Sequence, residues 1–330
     1  MTRVSGRKWM VAALASLACV GTASVATARS NVVVTADDRG GNGAANGKAD
    51  QFRLVREGDA IALYLDGVRS RAWRSAALDT LTVDGSSDDD TLTVDFTGGN
   101  PIPRGGIHYN GGDNGPAGDV LRLVGDAPLP LTYRFFNRTD GAVDVGGASI
   151  VYTGLEPVMD SVPGPLTVNG TNAPNSITCL AVQAGNFGEI AVDDSEVLEF
   201  FNKTTLTVDA MGGDDHIYVG PFGAPGLTSV VVHAGPGDDV VSVAAGVAQP
   251  VAIFGDDGDD LIKVAPSPNA AISVDGGGEV IGDHLIVATG AAKAKKTAQS
   301  VTVDGMQDVT FSNFEQVDVV GAKAVKKFVP

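Results

Sequence analysis

Short stretches of alternating apolar and polar residues fill this chain, separated by turns of glycine, aspartate and asparagine. Leu206-Thr207-Val208 and Ile217-Tyr218-Val219 show the alternation on either side of one such turn. A period of two sends successive side chains to opposite faces of a strand. The Thr, Val and Ile that fill these positions suit a pleated, half-buried surface. Gly, Asp, Asn or Pro interrupts nearly every window long enough for a helix, so the chain reads as all-β.

One template recurs: a β-rich run, a Gly/Asp turn ending in an acidic or amide residue, then a second β-rich run. Its clearest copies are Leu81–Val94, Leu206–Val219, Val230–Val243 and Val251–Val264, each 14 residues long. Leu166–Cys179 has the same length with Asn175 in place of the second Asp, and Ile107–Leu123 and Ile272–Val287 carry longer turns. The turn needs glycine because tight successive bends demand positive φ, with Asn and Asp next best. In the C-terminal half the second Asp falls at 215, 239, 260 and 283, in steps of 24, 21 and 23 residues. That step is one coil of a parallel β-solenoid of the β-helix or β-roll kind, whose apolar face is buried only by stacking on its neighbours. The alternative is a pair of β-sandwich-type domains, but hairpin loops usually close in about two to five residues, shorter than these turns.

Residues 1–28 read as a secretory signal peptide: Arg3, Arg7 and Lys8, then a mostly apolar run from Trp9, then Ala26-Thr27-Ala28 as a small-x-small cleavage site. Residues 29–160 form an irregular N-terminal β-repeat region with a cap, 161–320 a regular Gly/Asp-turn region, and 321–330 a basic tail. The seam is Ser161-Val162-Pro163-Gly164-Pro165, whose prolines do not suit a central strand. The apolar run is short for a membrane span, so the mature chain is expected to have no transmembrane segment and to be secreted or held at the cell surface. Removing residues 1–28 leaves 20 Lys and Arg against 40 Asp and Glu, a net charge of −20. Phosphate repels such a chain, which argues against nucleic acid as a partner. A single cysteine, Cys179, remains, so no internal disulfide forms.

The charge concentrates in the turns. Coils stacked about 4.8 Å apart would align Asp214/Asp215, Asp238/Asp239, Asp256/Asp257/Asp259/Asp260 and Asp283 as a column of carboxylates. Like charges at that spacing repel by roughly 1 kcal/mol in water, and by more where solvent is excluded. Ca²⁺, which takes about six to eight oxygens from carboxylates and turn carbonyls, would relieve this. The plainer reading is that Asp and Gly are good turn formers whose charge keeps an exported β protein soluble.

The turns resemble the haemolysin-type (RTX-like) nonapeptide G-G-x-G-x-D-x-U-x, with U a large apolar residue. Ala234–Ser242 matches at Gly235, Gly237, Asp239 and Val241, and Gly255–Lys263 at Gly255, Gly258, Asp260 and Ile262. Ala210–Tyr218 keeps Gly213, Asp215 and Ile217, and Gly85–Thr93 keeps Gly85, Asp90 and Leu92. The resemblance implies that Asp90, Asp215, Asp239 and Asp260 ligate calcium. The wider candidate metal set is Asp90, Asp214, Asp215, Asp238, Asp239, Asp257, Asp259, Asp260 and Asp283. The copies depart from the family in being isolated by 21 or more residues rather than tandem. The broader organisation is similar to divergent repeat proteins exported by planctomycetes, with Tyr152-Thr153-Gly154-Leu155-Glu156-Pro157 and Phe314-Glu315-Gln316-Val317 beside the turns.

Catalytic chemistry is poorly supported. There is no Gly-x-Ser-x-Gly elbow, and Cys179 sits in a strand-like run as a buried thiol. His108, His216, His233 and His284 have no zinc spacing. Adjacent turn acids do not face each other across a cleft as a glycosidase pair must. A polysaccharide lyase or epimerase rests on fold analogy alone. The expected function is therefore a non-enzymatic, calcium-binding exported repeat protein with a structural or adhesive role. Binding of a surface glycan or matrix protein along one solenoid face is the alternative.

Overall fold

The structure, a computed structural model, describes residues 29–35, 48–113, 115–181, 187–278 and 280–321. The expected signal peptide, residues 36–47 and residues 322–330 of the basic tail lie outside them. Each template copy folds as strand, turn, strand, and the two strands go to opposite sheets. Lys203–Met211, Ser229–His233, Val251–Phe254, Ile272–Asp275 and Val309–Ser312 lie side by side in the first sheet. Their partners across the turn, His216–Val219, Val240–Val243, Leu261–Val264, His284–Gly290 and Gln316–Gly321, lie side by side in the second. Each sheet has 14 strands in all, and the protein is an all-β solenoid.

Register follows the repeat. Leu206 pairs with Val230, Val230 with Val251, Val251 with Ile272 and Ile272 with Val309, all in parallel. In the second sheet Ile217 pairs with Val241, Val241 with Ile262, Ile262 with Leu285 and Leu285 with Val317. Every second residue of each strand therefore points between the sheets, and Leu206, Val208, Val230, Val232, Ile217, Ile262 and Leu285 are fully buried there. Each such side chain contributes about 1.5–3 kcal/mol by burial. Tyr109, Tyr133, Tyr152, Phe52 and Phe200 are the largest side chains buried in the same core.

Antiparallel pieces interrupt the winding. A meander of Gln51–Glu57, Ala60–Leu65 and Val68–Arg74 closes one end of the second sheet. The hairpin Ala294–Lys296 and Ser300–Val303 closes the opposite end of the first. The outermost strands that result carry Arg69, Arg71 and Arg74 or Lys295 and Lys296, charges that discourage pairing of these edges with another chain. Two more meanders, Leu131–Phe135 to Ala148–Thr153 and Ser176–Ala181 to Leu198–Phe200, lie within the sheets on either side of residues 161–165. Pro165 stands inside the strand Gly164–Thr171, contrary to the expectation that it would avoid one. A register shift between Gly164 and Leu166 lets it sit outside the ladder, so no backbone N–H is missed. Both sheets continue past this point.

Candidate functional site: two aspartate ladders

Period two fixes where the turn acids go. Counting back from the buried Ile217, Val241 and Ile262, positions 215, 239 and 260 share the inward face. Asp90, Asp119, Asp215, Asp239, Asp260 and Asp283 are all buried just before their strands in the second sheet, and Asn175 holds the same position. Asp214, Asp238 and Asp257 are exposed and Asp259 half-buried. Of the nine sequence-predicted candidates, Asp90, Asp215, Asp239, Asp260 and Asp283 thus turn inward, and Asp214, Asp238, Asp257 and Asp259 outward.

The inner carboxylates are hydrogen-bonded from coil to coil. Asp260 N–H donates to Asp283 Oδ1 at 2.8 Å, Asp239 N–H to Asp260 Oδ1 at 2.9 Å, and Asp215 N–H to Asp239 Oδ1 at 2.6 Å. Asn175 N–H donates to Asp215 Oδ1 at 2.6 Å. At the far end Asp283 N–H donates to Glu315 Oε2 at 2.7 Å, so a glutamate ends the ladder. The N-terminal coils repeat it: Asp50 N–H to Asp90 Oδ1 at 2.7 Å and Asp90 N–H to Asp119 Oδ1 at 2.6 Å.

The outer carboxylates run the opposite way. Asp238 N–H donates to Asp214 Oδ1 at 3.0 Å, and Asp259 N–H to Asp238 Oδ1 at 3.1 Å. Asp259 Oδ1 accepts the N–H groups of Val280, Ile281 and Gly282. Asp89 likewise accepts from Ala117 and Gly118. Successive coils are therefore clasped twice, once by an inner carboxylate reaching back and once by an outer one reaching forward. Asp89 and Glu315 were not among the sequence candidates. Asp89 was hidden in the run Asp88-Asp89-Asp90, and Glu315 ends the ladder from outside the Gly/Asp template.

Electrostatically the columns differ. Burial, opposed by the ladder hydrogen bond, raises Asp215 to about 6, Asp119 and Asp239 to about 7 and Asp260 to about 8, with neighbouring aspartates adding to each. Asp259, on the surface, is held below the ordinary carboxylate range by the N–H groups of Ile281 and Gly282. The Oδ2 atoms of Asp119, Asp215, Asp239 and Asp260 are buried and accept no hydrogen bond. Asp260 Oδ2 is packed against Gly255, where an added Cβ would lie 2.2 Å from it and 2.1 Å from the Gly276 carbonyl oxygen. The outer column, with Asp214, Asp238, Asp257 and Asp259, has solvent beside it.

The remaining candidates are structural. Cys179 is fully buried, and burial pushes its thiol up to about 12. His233 Nδ1 lies 3.4 Å from Asp256 and its ring stacks on Phe254 at 4.7 Å, while His284 Nε2 lies 3.1 Å from Asp318. A shallow depression on the outer face of the first sheet is walled by Val231, Ala252, Ser273 and Thr310, with Asp308 its single titratable group. No helix among the described residues is long and apolar enough to cross a membrane. No protein-family model matches the chain, and no curated protein matches it either.

Proposed function

We propose that this is an exported, non-catalytic scaffold with a structural or adhesive role at the cell surface or in the matrix, stiffened by calcium on its outer acidic column. The observation that carries the reading is the double aspartate ladder, which lines carboxylates of one sign along one edge of the solenoid. Backbone N–H groups offset part of that repulsion. A divalent cation on Asp214, Asp238, Asp257 and Asp259 offsets the rest, and does so only where the coils are stacked, so binding favours the folded chain. The RTX-like turns support calcium as the cation, although the aspartates matching their motif, Asp90, Asp215, Asp239 and Asp260, are the inner neighbours of this column. The flat outer faces support a non-catalytic role, because the pKa-perturbed acids are sealed in the ladder instead of converging on a cleft.

The test is thermal unfolding of residues 29–330 by far-UV circular dichroism in EDTA, then with Ca²⁺ or Mg²⁺ at matched ionic strength. Calcium alone is expected to raise the Tm, and Asp214→Asn with Asp238→Asn and Asp259→Asn to remove most of that rise. Equal shifts from both ions would reduce the effect to general screening. No shift would end the calcium reading and leave a metal-free scaffold.

A further inference from the structure

Among the described residues the solenoid core holds one lysine, and it touches one carboxylate. Lys203 begins the strand Lys203–Met211 in the first sheet, and Asp160 ends Val158–Asp160 in the second. Both side chains are 0% exposed, and Lys203 Nζ lies 2.6 Å from Asp160 Oδ2. The contact lacks the alignment of a hydrogen bond, since Oδ2 accepts none among the described residues. Asp160 Oδ1 instead accepts the Val162 N–H at 2.9 Å, and Nζ donates to the Val162 carbonyl at 2.6 Å. One backbone residue thus orients both partners. The buried Tyr133 is pushed well above its ordinary pKa by burial and then by the charge of Asp160.

We propose that Lys203 and Asp160 condense to an intramolecular isopeptide bond that ties the two sheets together. A proton passes from the Lys203 ammonium to Asp160 Oδ2, giving a neutral amine beside a neutral acid. The Nζ lone pair attacks Cγ, while the Val162 N–H steadies the charge that develops on Oδ1. The Cγ–Oδ2 bond breaks and Oδ2 leaves as water with the second proton shed by Nζ. One C–N bond forms, one C–O bond breaks, one water is released, and nothing is oxidised or reduced.

The setting favours each step. An ion pair taken out of water loses several kcal/mol of solvation per ion. Burial accordingly drives Asp160 upward and Lys203 downward, both toward their neutral forms, against the attraction between them. Exclusion of bulk water opposes hydrolysis of the product. Fixed neighbours at contact distance supply the effective concentration that makes such condensations fast within a fold. The bond would sit beside residues 161–165, between the two internal meanders in the chain.

Mass spectrometry of the folded full-length protein, denatured immediately before injection, tests this directly. The expected result is a chain lighter by one water, with no tryptic cleavage after Lys203. Because Arg138 and Lys203 bound a single tryptic peptide, a glutamate-specific digest, which cuts at Glu189, Glu196 and Glu199, is expected to leave a fragment joining the peptides of Asp160 and Lys203. Lys203→Arg should restore the full mass. Asp160→Asn should lose one ammonia instead and still give the joined fragment. A wild-type chain of full mass that is cleaved after Lys203 would overturn the proposal and leave a buried ion pair. Loss of one water without the joined fragment would overturn it equally, since Asp-Gly sequences such as Asp84-Gly85 can dehydrate by cyclising on their own backbone.

Discussion

Asp260 carries the ladder's logic in a single side chain. Its Oδ1 accepts a backbone N–H from the preceding coil, while its Oδ2 and the Gly276 carbonyl oxygen both crowd Gly255. Burial, with the charges of Asp239 and Asp283 adding to it, pushes the acid up to about 8 against the Asp239 N–H. The folded state thus binds more protons than the unfolded chain between the ordinary aspartate range and about pH 8. Stability from Asp119, Asp215, Asp239 and Asp260 is complete below the unfolded pKa and lost as pH rises through about 6 to 8. The Tm in EDTA should rise as pH falls from 9 to 5. Below about pH 4 it should fall again, because Asp95, Asp140 and Asp259 are shifted down. Asp260→Asn keeps the Oδ1 acceptor without the charge, as Asn175 does naturally in the same column. It should raise the Tm at pH 9 and flatten the pH profile, whereas Asp260→Ala should cost about 1–3 kcal/mol at any pH by stranding the Asp239 N–H. A lower Tm for Asp260→Asn at pH 9 would mean that the charged form is the one the ladder needs.

At the scale of the turn, stacking dictates backbone shape. Gly237 and Gly258 have φ of 150° and 149°, and a Cβ on Gly258 would lie 1.8 Å from the Gly237 carbonyl oxygen. Gly258→Ala should therefore cost about 3 kcal/mol or more, measured by urea unfolding, through strain and lost close approach. One column of the turns also departs from the glycine rule. Gly235 and Gly277 are left-handed there, and so are Met211 at 78° and Asp256 at 71°. Met211 is partly exposed, so Met211→Gly should stabilise the protein by about 1 kcal/mol by relieving the side chain's clash in that conformation. A destabilised variant would show that Met211 packs usefully. The turns were legible because Gly and Asp announce them, and period two from Ile217 would also have separated inner from outer acids. The meanders were not legible as sheet insertions. Gly146-Gly147 marks one hairpin, but nothing local says that Leu131–Phe135 is to pair with Gly164–Thr171. Lys203 reads as a surface lysine at a strand start, and only the stacking of distant coils buries it beside Asp160.

For the whole molecule, stability should behave as a sum of coils and their interfaces, because each coil touches mainly its neighbours. The offset between adjacent coils is 21 residues on both sheets at one place: Val230 pairs with Val251 and Val240 with Leu261. The ladder keeps the same step, from Asp239 to Asp260. Excising Val230–Pro250 would therefore bring Val251 into the place of Val230 beside Leu206, Leu261 into the place of Val240 beside His216, and Asp260 Oδ1 to the Asp215 N–H. That shortened chain should fold with the same circular dichroism shape and a modestly lower Tm. Excising Val231–Pro250, one residue fewer, would leave the next strand out of step with the alternation and turn Ile253 and Ile262 toward solvent. It should unfold or aggregate. If both deletions behaved alike, the coils would not be the independent, register-locked units that the ladders imply. A stable chain only from the 21-residue deletion would show that the repeat read in the sequence is the unit in which this protein is built.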